Sequence, residues 1–315
     1  MTRGVGASGS LGTAFESTYA TYAAPTKFMN IRNESLAYDD AKIARRPLRG
    51  HADLVGFLPG NVHVNGTFEV EITEDLLAHL LFACRGGVVK SGTTPNFTYT
   101  YTPSQVAEIT APQESLSITV VKNGEAFGYT GCVIGQQTYT LADGLLIGTF
   151  AVVGSDEADQ SVPTPVYPTT DPFGPGQYII EVPTATQVYD TDMFTIDIND
   201  NATPEFRLRD DTRGATFIKF GERLVTATLQ RDFEDRTEFD AFKASTAQSL
   251  TIVATKSATR RITWLIPAGI KRTYPVVGLS GQADLIRASI DYAGTYNAGT
   301  SKSVEIKVLT SEDIT

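Results

Sequence analysis

Cysteine, histidine and tryptophan are scarce in this 315-residue chain: two Cys, three His and one Trp. Each scarcity removes a class of function. Cys84 and Cys132 both sit in apolar settings, Leu-Phe-Ala-Cys and Gly-Cys-Val-Ile. They read as buried free thiols rather than the staples of a secreted scaffold. Two Cys and the scattered His51, His63 and His79 supply no zinc spacing, and the histidines read as surface or core residues. No apolar run approaches the roughly 18 residues of a membrane helix. The opening Met1-Thr2-Arg3-Gly4-Val5 lacks the apolar stretch of a secretory leader, and Glu16 follows soon after. Basic charge is also in deficit, with 26 Lys and Arg against 36 Asp and Glu, a net charge of -10. Such a chain should repel nucleic acid rather than grip it, because affinity for phosphate comes from Lys and Arg.

What is present is β patterning, written twice. Ser115-Leu116-Ser117-Ile118-Thr119-Val120-Val121-Lys122 returns as Ser249-Leu250-Thr251-Ile252-Val253-Ala254-Thr255-Lys256. Val62, Val64, Phe68, Val70 and Ile72 alternate with His63, Asn65, Thr67, Glu69 and Glu71, the period of a strand with one apolar and one wet face. Thr73 is placed to cap a helix, with Glu74 and Asp75 in its first turn. Leu76, Leu77, Leu80, Leu81 and Cys84 form its apolar stripe, and Gly86-Gly87 is the expected stop. Strands are expected at 97–101, 115–121, 132–140 and 145–153, punctuated by the hairpin dipeptides Asn123-Gly124 and Asp143-Gly144.

The second half follows the same plan. Strands are expected at 192–198, 204–209, 225–229, 249–255, 262–266, 283–291 and 303–309. Asp235 is placed to cap a helix bearing Glu238, Phe239 and Phe242. Residues 1–60 read as an arm with loops, carrying the basic knot Arg45, Arg46 and Arg49. Residues 61–154 form one β half, 155–188 a linker with prolines from Pro163 to Pro175, and 189–315 the second half. The class is mainly β, in two related halves.

Catalytic motifs fail on inspection. Gly4-Val5-Gly6-Ala7-Ser8-Gly9 matches a dinucleotide loop, but no strand precedes it to aim the loop. Gly278-Leu279-Ser280-Gly281 lacks the closing glycine of a nucleophile elbow. Asp197-Ile198-Asn199-Asp200-Asn201 opens like a calcium loop, yet Ala202 stands where glycine is required, so a polar turn is expected. Glu69 and Glu71 share one strand face as a glycosidase pair might, but no aromatic cleft accompanies them. No catalytic residue, metal ligand or cofactor is expected.

The order of several segments is similar to that of the tail tube (major tail) proteins of long-tailed bacteriophages, in the branch found in actinobacterial phages. The resemblance rests on residues 9–19 (Gly-Ser-Leu-Gly-Thr-Ala-Phe-Glu-Ser-Thr-Tyr) and 24–28 (Ala-Pro-Thr-Lys-Phe). It continues through 66–72 (Gly-Thr-Phe-Glu-Val-Glu-Ile), the leucine-rich helix, 99–103 (Tyr-Thr-Tyr-Thr-Pro) and 129–134 (Tyr-Thr-Gly-Cys-Val-Ile). Phe239-Asp240-Ala241-Phe242 and residues 281–286 close it. The Pro-rich stretch is a departure from the pattern.

The resemblance implies a duplicated tail-tube-type β-sandwich, each half flanked by a short helix and giving strands to an oligomeric inner β-barrel. It implies self-association into rings, three chains mimicking sixfold symmetry or six chains, stacked into a tube in the virion after assembly in the host cytoplasm. The implied partners are a tape-measure protein and the tail terminator and baseplate or tip proteins. Genome DNA would pass through without specific binding, and no membrane insertion is implied. On that reading Glu69 and Glu71, with Thr226, Thr228 and Gln230 in the second half, are lumen candidates. Arg45, Arg46 and Arg49 are candidates for contacts between rings. A carbohydrate-binding or adhesin β-sandwich is the alternative, left open by thirteen tyrosines.

Overall fold

The computed structural model describes residues 9–48, 50, 53–103, 114–208, 212–233, 236–275 and 286–314. Its first half begins with β1 (Ser10–Phe15), β2 (Lys27–Met29), β3 (Ile31–Glu34) and β4 (Ala37–Asp40). A hairpin follows, β5 (Ile43–Arg45) and β6 (Gly56–Leu58). Strand β7 (Val62–Glu71) leads into helix α1 (Glu74–Leu81) and a second hairpin, β8 (Gly87–Thr93) and β9 (Asn96–Thr102). Then come β10 (Leu116–Lys122), β11 (Glu125–Ala142), β12 (Leu145–Gly154) and β13 (Asp156–Gln160).

The second half opens with β14 (Tyr178–Glu181), β15 (Gln187–Val188) and β16 (Thr191–Asn199). The hairpin β17 (Thr203–Glu205) and β18 (Phe217–Lys219) precedes β19 (Leu224–Asp232). Helix α2 (Thr237–Lys243), β20 (Gln248–Ser257), β21 (Arg260–Thr273), β22 (Arg287–Gly294) and β23 (Glu305–Thr310) complete it.

The two halves share one wiring. In the first, β7 pairs with β12, β12 with β11, β11 with β10 and β10 with β1. In the second, β19 pairs with β22, β22 with β21, β21 with β20 and β20 with β14. The repeated octapeptides occupy the same place in each, β10 and β20. Even the hairpins correspond. β5–β6 extends the β4–β7 ladder, and β17–β18 extends the β16–β19 ladder, each after a one-residue slip.

Strands β11 and β21 each serve two sheets. Asn123-Gly124 and Asp143-Gly144, all four at positive φ, bracket β11 with tight turns. Its first part pairs with β10 and β13, and its second part, beyond a bulge at Gly135, with β12 and β16. Such a bulge lets one strand bend from one layer into another. Gly135 is required there, because a Cβ would lie 2.6 Å from Ala202 Cβ. The result is one long antiparallel sheet, β3/β4–β7–β12–β11–β16–β19–β22–β21, with the β11–β16 pair joining the halves.

Two shorter sheets lie across it, β2–β1–β10–β11–β13 and β15–β14–β20–β21–β23–β9–β8. Phe68, Phe150, Tyr139, Trp264, Ile196, Leu229 and Tyr292 fill the layer between, all fully buried. Burying one such side chain stabilises the fold by roughly 1.5–3 kcal/mol.

Helix α1 forms as expected: the Thr73 hydroxyl accepts from Leu76 N at 3.3 Å. It ends at Leu81, before the glycines, because Cys84 is already drawn into a bridge with Ile134. Cys84 and Cys132 are buried free thiols.

Three expectations need correction. Residues 10–40 are not an arm. Strand β1 is buried in the core, and Glu16 is a fully enclosed carboxylate that accepts from Ser115, Ser117, Gly131 N and Ala20 N at 2.7–2.9 Å. The stretch looked polar because its hydroxyls and carboxylate satisfy one another inside the fold. The linker at 155–188 contains β13, β14 and β15 and buries Phe173 completely. Asp197 to Asn199 lie in β16 rather than in a turn.

Candidate functional site

The long sheet presents a wet face and, among the described residues, two open edges. Alternation sends every second residue of β7, β12, β11, β16, β19 and β22 away from the core, and there the chain is rich in threonine. One row across the sheet reads Glu69, Thr149, Thr138, Asp197, Thr226 and Ala293; the next reads Glu71, Ile147, Thr140, Thr195, Thr228 and Asp291. Glu69, Glu71, Thr226, Thr228 and Gln230 are all half-exposed on this one face. Pair-for-pair wiring puts Glu69 and Glu71 in the positions of Thr228 and Gln230.

Asp197 and Asp291 share the face, though neither is among the lumen candidates named from the sequence. Thr138 Oγ1 and Gln136 Nε2 donate to Asp197 Oδ1 at 2.6 and 2.7 Å, and Thr228 Oγ1 donates to Asp291 Oδ1 at 2.8 Å. The first two bonds cross the joint between halves. The signal available was alternation in Thr195-Ile196-Asp197-Ile198-Asn199, which a calcium-loop comparison obscured. Arg32 is the near cation, 3.7 Å from Glu69.

The joint is locked from the side. Asp200, nearly fully buried, sits 2.7 Å from Arg223 Nε and 3.8 Å from Arg85 Nη1. Burial pushes its carboxyl up, while the Arg223 and Arg85 guanidiniums pull it back. Arg85 also donates to Gly221 O, and Asp200 N donates to Gly135 O. The β17–β18 hairpin folds back over the first half, burying Ile218, Phe220 and Ala215 against Val133. Arg213 at its tip bonds Asp40 and Gly60 O.

Helix α1 is clamped at the same joint. Glu74 is paired with Lys256 and Arg260 of the second half, and Asp75 accepts from Thr310. His79 is a core histidine. Its Nε2 lies 3.1 Å from Thr13 Oγ1, and burial, with Lys27 adding, depresses its pKa to about 3.

The outer edges of the long sheet have no strand partner among the described residues: β3 and β4 on one side, residues 270–273 of β21 on the other. Next to the first edge, the β5–β6 hairpin leaves Ile43, Phe57 and Leu58 exposed. Arg45 and Arg46 are exposed on it, and Arg49 lies outside the described residues. No described helix is long and apolar enough to cross a membrane. The family model described as phage tail tube protein matches residues 6–294. No curated protein matches the chain.

Proposed function

This chain belongs to the phage tail tube protein family, and from that premise we propose that its copies close into rings around a hollow axis, stacked as a conduit for genome DNA. The observation that carries the reading is the long sheet, continuous through both halves yet without a strand partner at either end among the described residues. A sheet with open edges is a joint waiting for another copy.

Strand arithmetic favours three chains. Each chain gives eight strands to the long sheet. At about 4.8 Å per strand, eight strands would enclose a backbone diameter of only about 12 Å, and three chains about 37 Å before tilt. Small barrels fill with their own side chains, whereas a channel needs some 16 strands or more. Three chains with two like halves each also give a pseudo-sixfold ring without a second gene product.

The wet face is the lumen wall on this reading. Glu69, Glu71, Asp197 and Asp291 repel phosphate, and threonine hydroxyls with Gln230 keep the wall wet without binding it, so DNA and a tape-measure protein can slide. Arg45 and Arg46, on the exposed β5–β6 hairpin, contact the adjacent ring, with Arg49 beside them in sequence. Terminator and tip proteins would cap the stack.

Electron microscopy of purified protein tests the assembly: rings or tubes with a central bore are expected, and isolated particles at high concentration would contradict it. Glu69→Lys with Glu71→Lys tests the lumen. Tubes should form, because exposed substitutions change stability by about 0.5 kcal/mol or less, while DNA ejection from the particles slows. Normal ejection would remove these residues from the lumen.

A further inference from the structure

We infer that the joint inside the chain is the template for the joint between chains, so that one pairing register and one helix clamp recur at both. This inference rests on the ring reading and specifies how its copies meet. Superposing the two halves through their ladders makes Gln136 the equivalent of Ile270, Gln137 of Lys271 and Thr138 of Thr273, with Arg272 as a bulge. It likewise makes Asn199 the equivalent of Ala37, Ile198 of Leu36 and Asp197 of Ser35. Inside the chain Gln136 faces Asn199 and Thr138 faces Asp197. Between chains, then, Ile270 of one copy faces Ala37 of the next, and Thr273 faces Ser35, in an antiparallel pair.

Four independent features of the isolated chain fit this template. Both edge segments lack a strand partner among the described residues, as the template requires. Helix α1, which sits at the internal joint, is buried along its whole length, whereas α2, its equivalent, has no buried residue. Helix α2 rests on its own core through Phe239 and Phe242 alone, because the half that would cover its other side belongs to another copy. The β17–β18 hairpin buries Ile218 at the internal joint, with Phe206 half-buried against the same cluster. The equivalent face of β5–β6 presents Ala44, Phe57 and Pro59, all exposed.

The fourth is the lysine that closes each repeated octapeptide. Lys256 pairs with Glu74 in the first turn of α1. Lys122, its equivalent, is half-exposed on Glu34 and is placed to join the acidic first turn of a neighbour's α2, where Glu238 is held by Lys271 and Arg231 and Asp240 lies beside the exposed Arg236. Repetition of Lys122 and Lys256 is then the trace of one clamp used twice. Helix clamps and strand pairing would form together, since both span the same pair of halves.

Two measurements on the assembled protein test this. In the first, the Ala37→Cys, Ile270→Cys double variant is assembled and oxidised, with Asn33→Cys, Ile270→Cys as the out-of-register control. The native thiols are buried. The template predicts cross-links in the first variant, in a ladder that stops at a closed trimer, and at least tenfold fewer in the control. In the second, hydrogen exchange on the unmodified protein should show α2 amides slowed at least tenfold in tubes relative to monomer. Tubes that form while neither change occurs would overturn the template and leave the ring reading standing. Absence of both rings and cross-links would overturn both.

Discussion

The two halves of this chain have the same wiring and opposite fates. The side of the first half that faces the second is closed: β11 has β16, α1 has Lys256, Arg260 and Thr310, and Gly135 receives Ala202. The matching side of the second half is open, with β21 lacking a strand partner beyond residue 269 on one edge among the described residues and α2 covered only in part, through Phe239 and Phe242. The sequences differ accordingly. Helix α1 is Glu-Asp-Leu-Leu-Ala-His-Leu-Leu, apolar apart from its first turn and the buried His79, while α2 is Thr-Glu-Phe-Asp-Ala-Phe-Lys, amphipathic and tolerable in water. If copies join as the halves do, the duplicated unit displays its assembled state in one half and its unassembled state in the other.

The shorter sheets show the same asymmetry in another form. Strand β23 pairs with β9, and β9 with β8, a hairpin with no counterpart among the described residues of the second half. Its equivalent, β13, has no second strand partner among the described residues. It carries Asp156, Glu157 and Asp159, and charges of this kind discourage unwanted pairing along an edge.

The largest way to break the comparison is to remove a shared element. Deleting residues 1–20 takes away β1 and the Glu16 hub, so the chain should lose cooperative unfolding altogether, as seen by circular dichroism against denaturant. A folded monomer from that deletion would contradict the placement of β1 in the core. Next is the lock at the closed joint. Asp200→Ala leaves two guanidiniums without their carboxylate and should cost about 3–5 kcal/mol, measured by urea unfolding. Its open-joint equivalent, Tyr38→Ala, should cost the monomer about 1 kcal/mol or less.

The helices sharpen the contrast. Leu80→Ala in α1 should cost about 2–5 kcal/mol in the monomer, the range for an apolar core side chain cut to alanine. Phe242→Ala in α2 should cost clearly less in the monomer and more in the assembled tube. Equal losses in the monomer would say that α2 is already as buried as α1.

The most gradual effect is on pH. The unfolded His79 imidazole takes up a proton below pH 6.5, but the folded one stays neutral to about 3. Stability therefore falls as pH drops through that window, by at most about 1.4 kcal/mol per unit. His79→Gln should flatten that slope in unfolding titrations between pH 6 and 4; an unchanged slope would exclude His79 as its source.

Much of the fold was legible. Alternation located β7, β10, β12, β16, β19 and β20, and the hairpin dipeptides marked both ends of β11. What stayed hidden was long-range. Nothing local in Ser-Leu-Gly-Thr-Ala-Phe tells that β1 pairs with β10, with Phe15 opposite Leu116, or that Glu16 is satisfied by Ser115 and Ser117. The wet face was half legible: alternation on β7 and β19 gave Glu69 and Thr228. Recognising Asp197 and Asp291 as their neighbours needed the ladder that joins β16 and β22 to β19. The repeat itself was visible, but not its meaning, because a closed and an open joint differ in partners and not in pattern.

The mass of the assembled ring, measured by native mass spectrometry or by image reconstruction, tests the central claim most directly. Two like halves per chain, joined between copies as they are joined within one, predict three chains around a central bore. A ring of six chains in which only one half reaches the bore, or a closed particle with none, would contradict it.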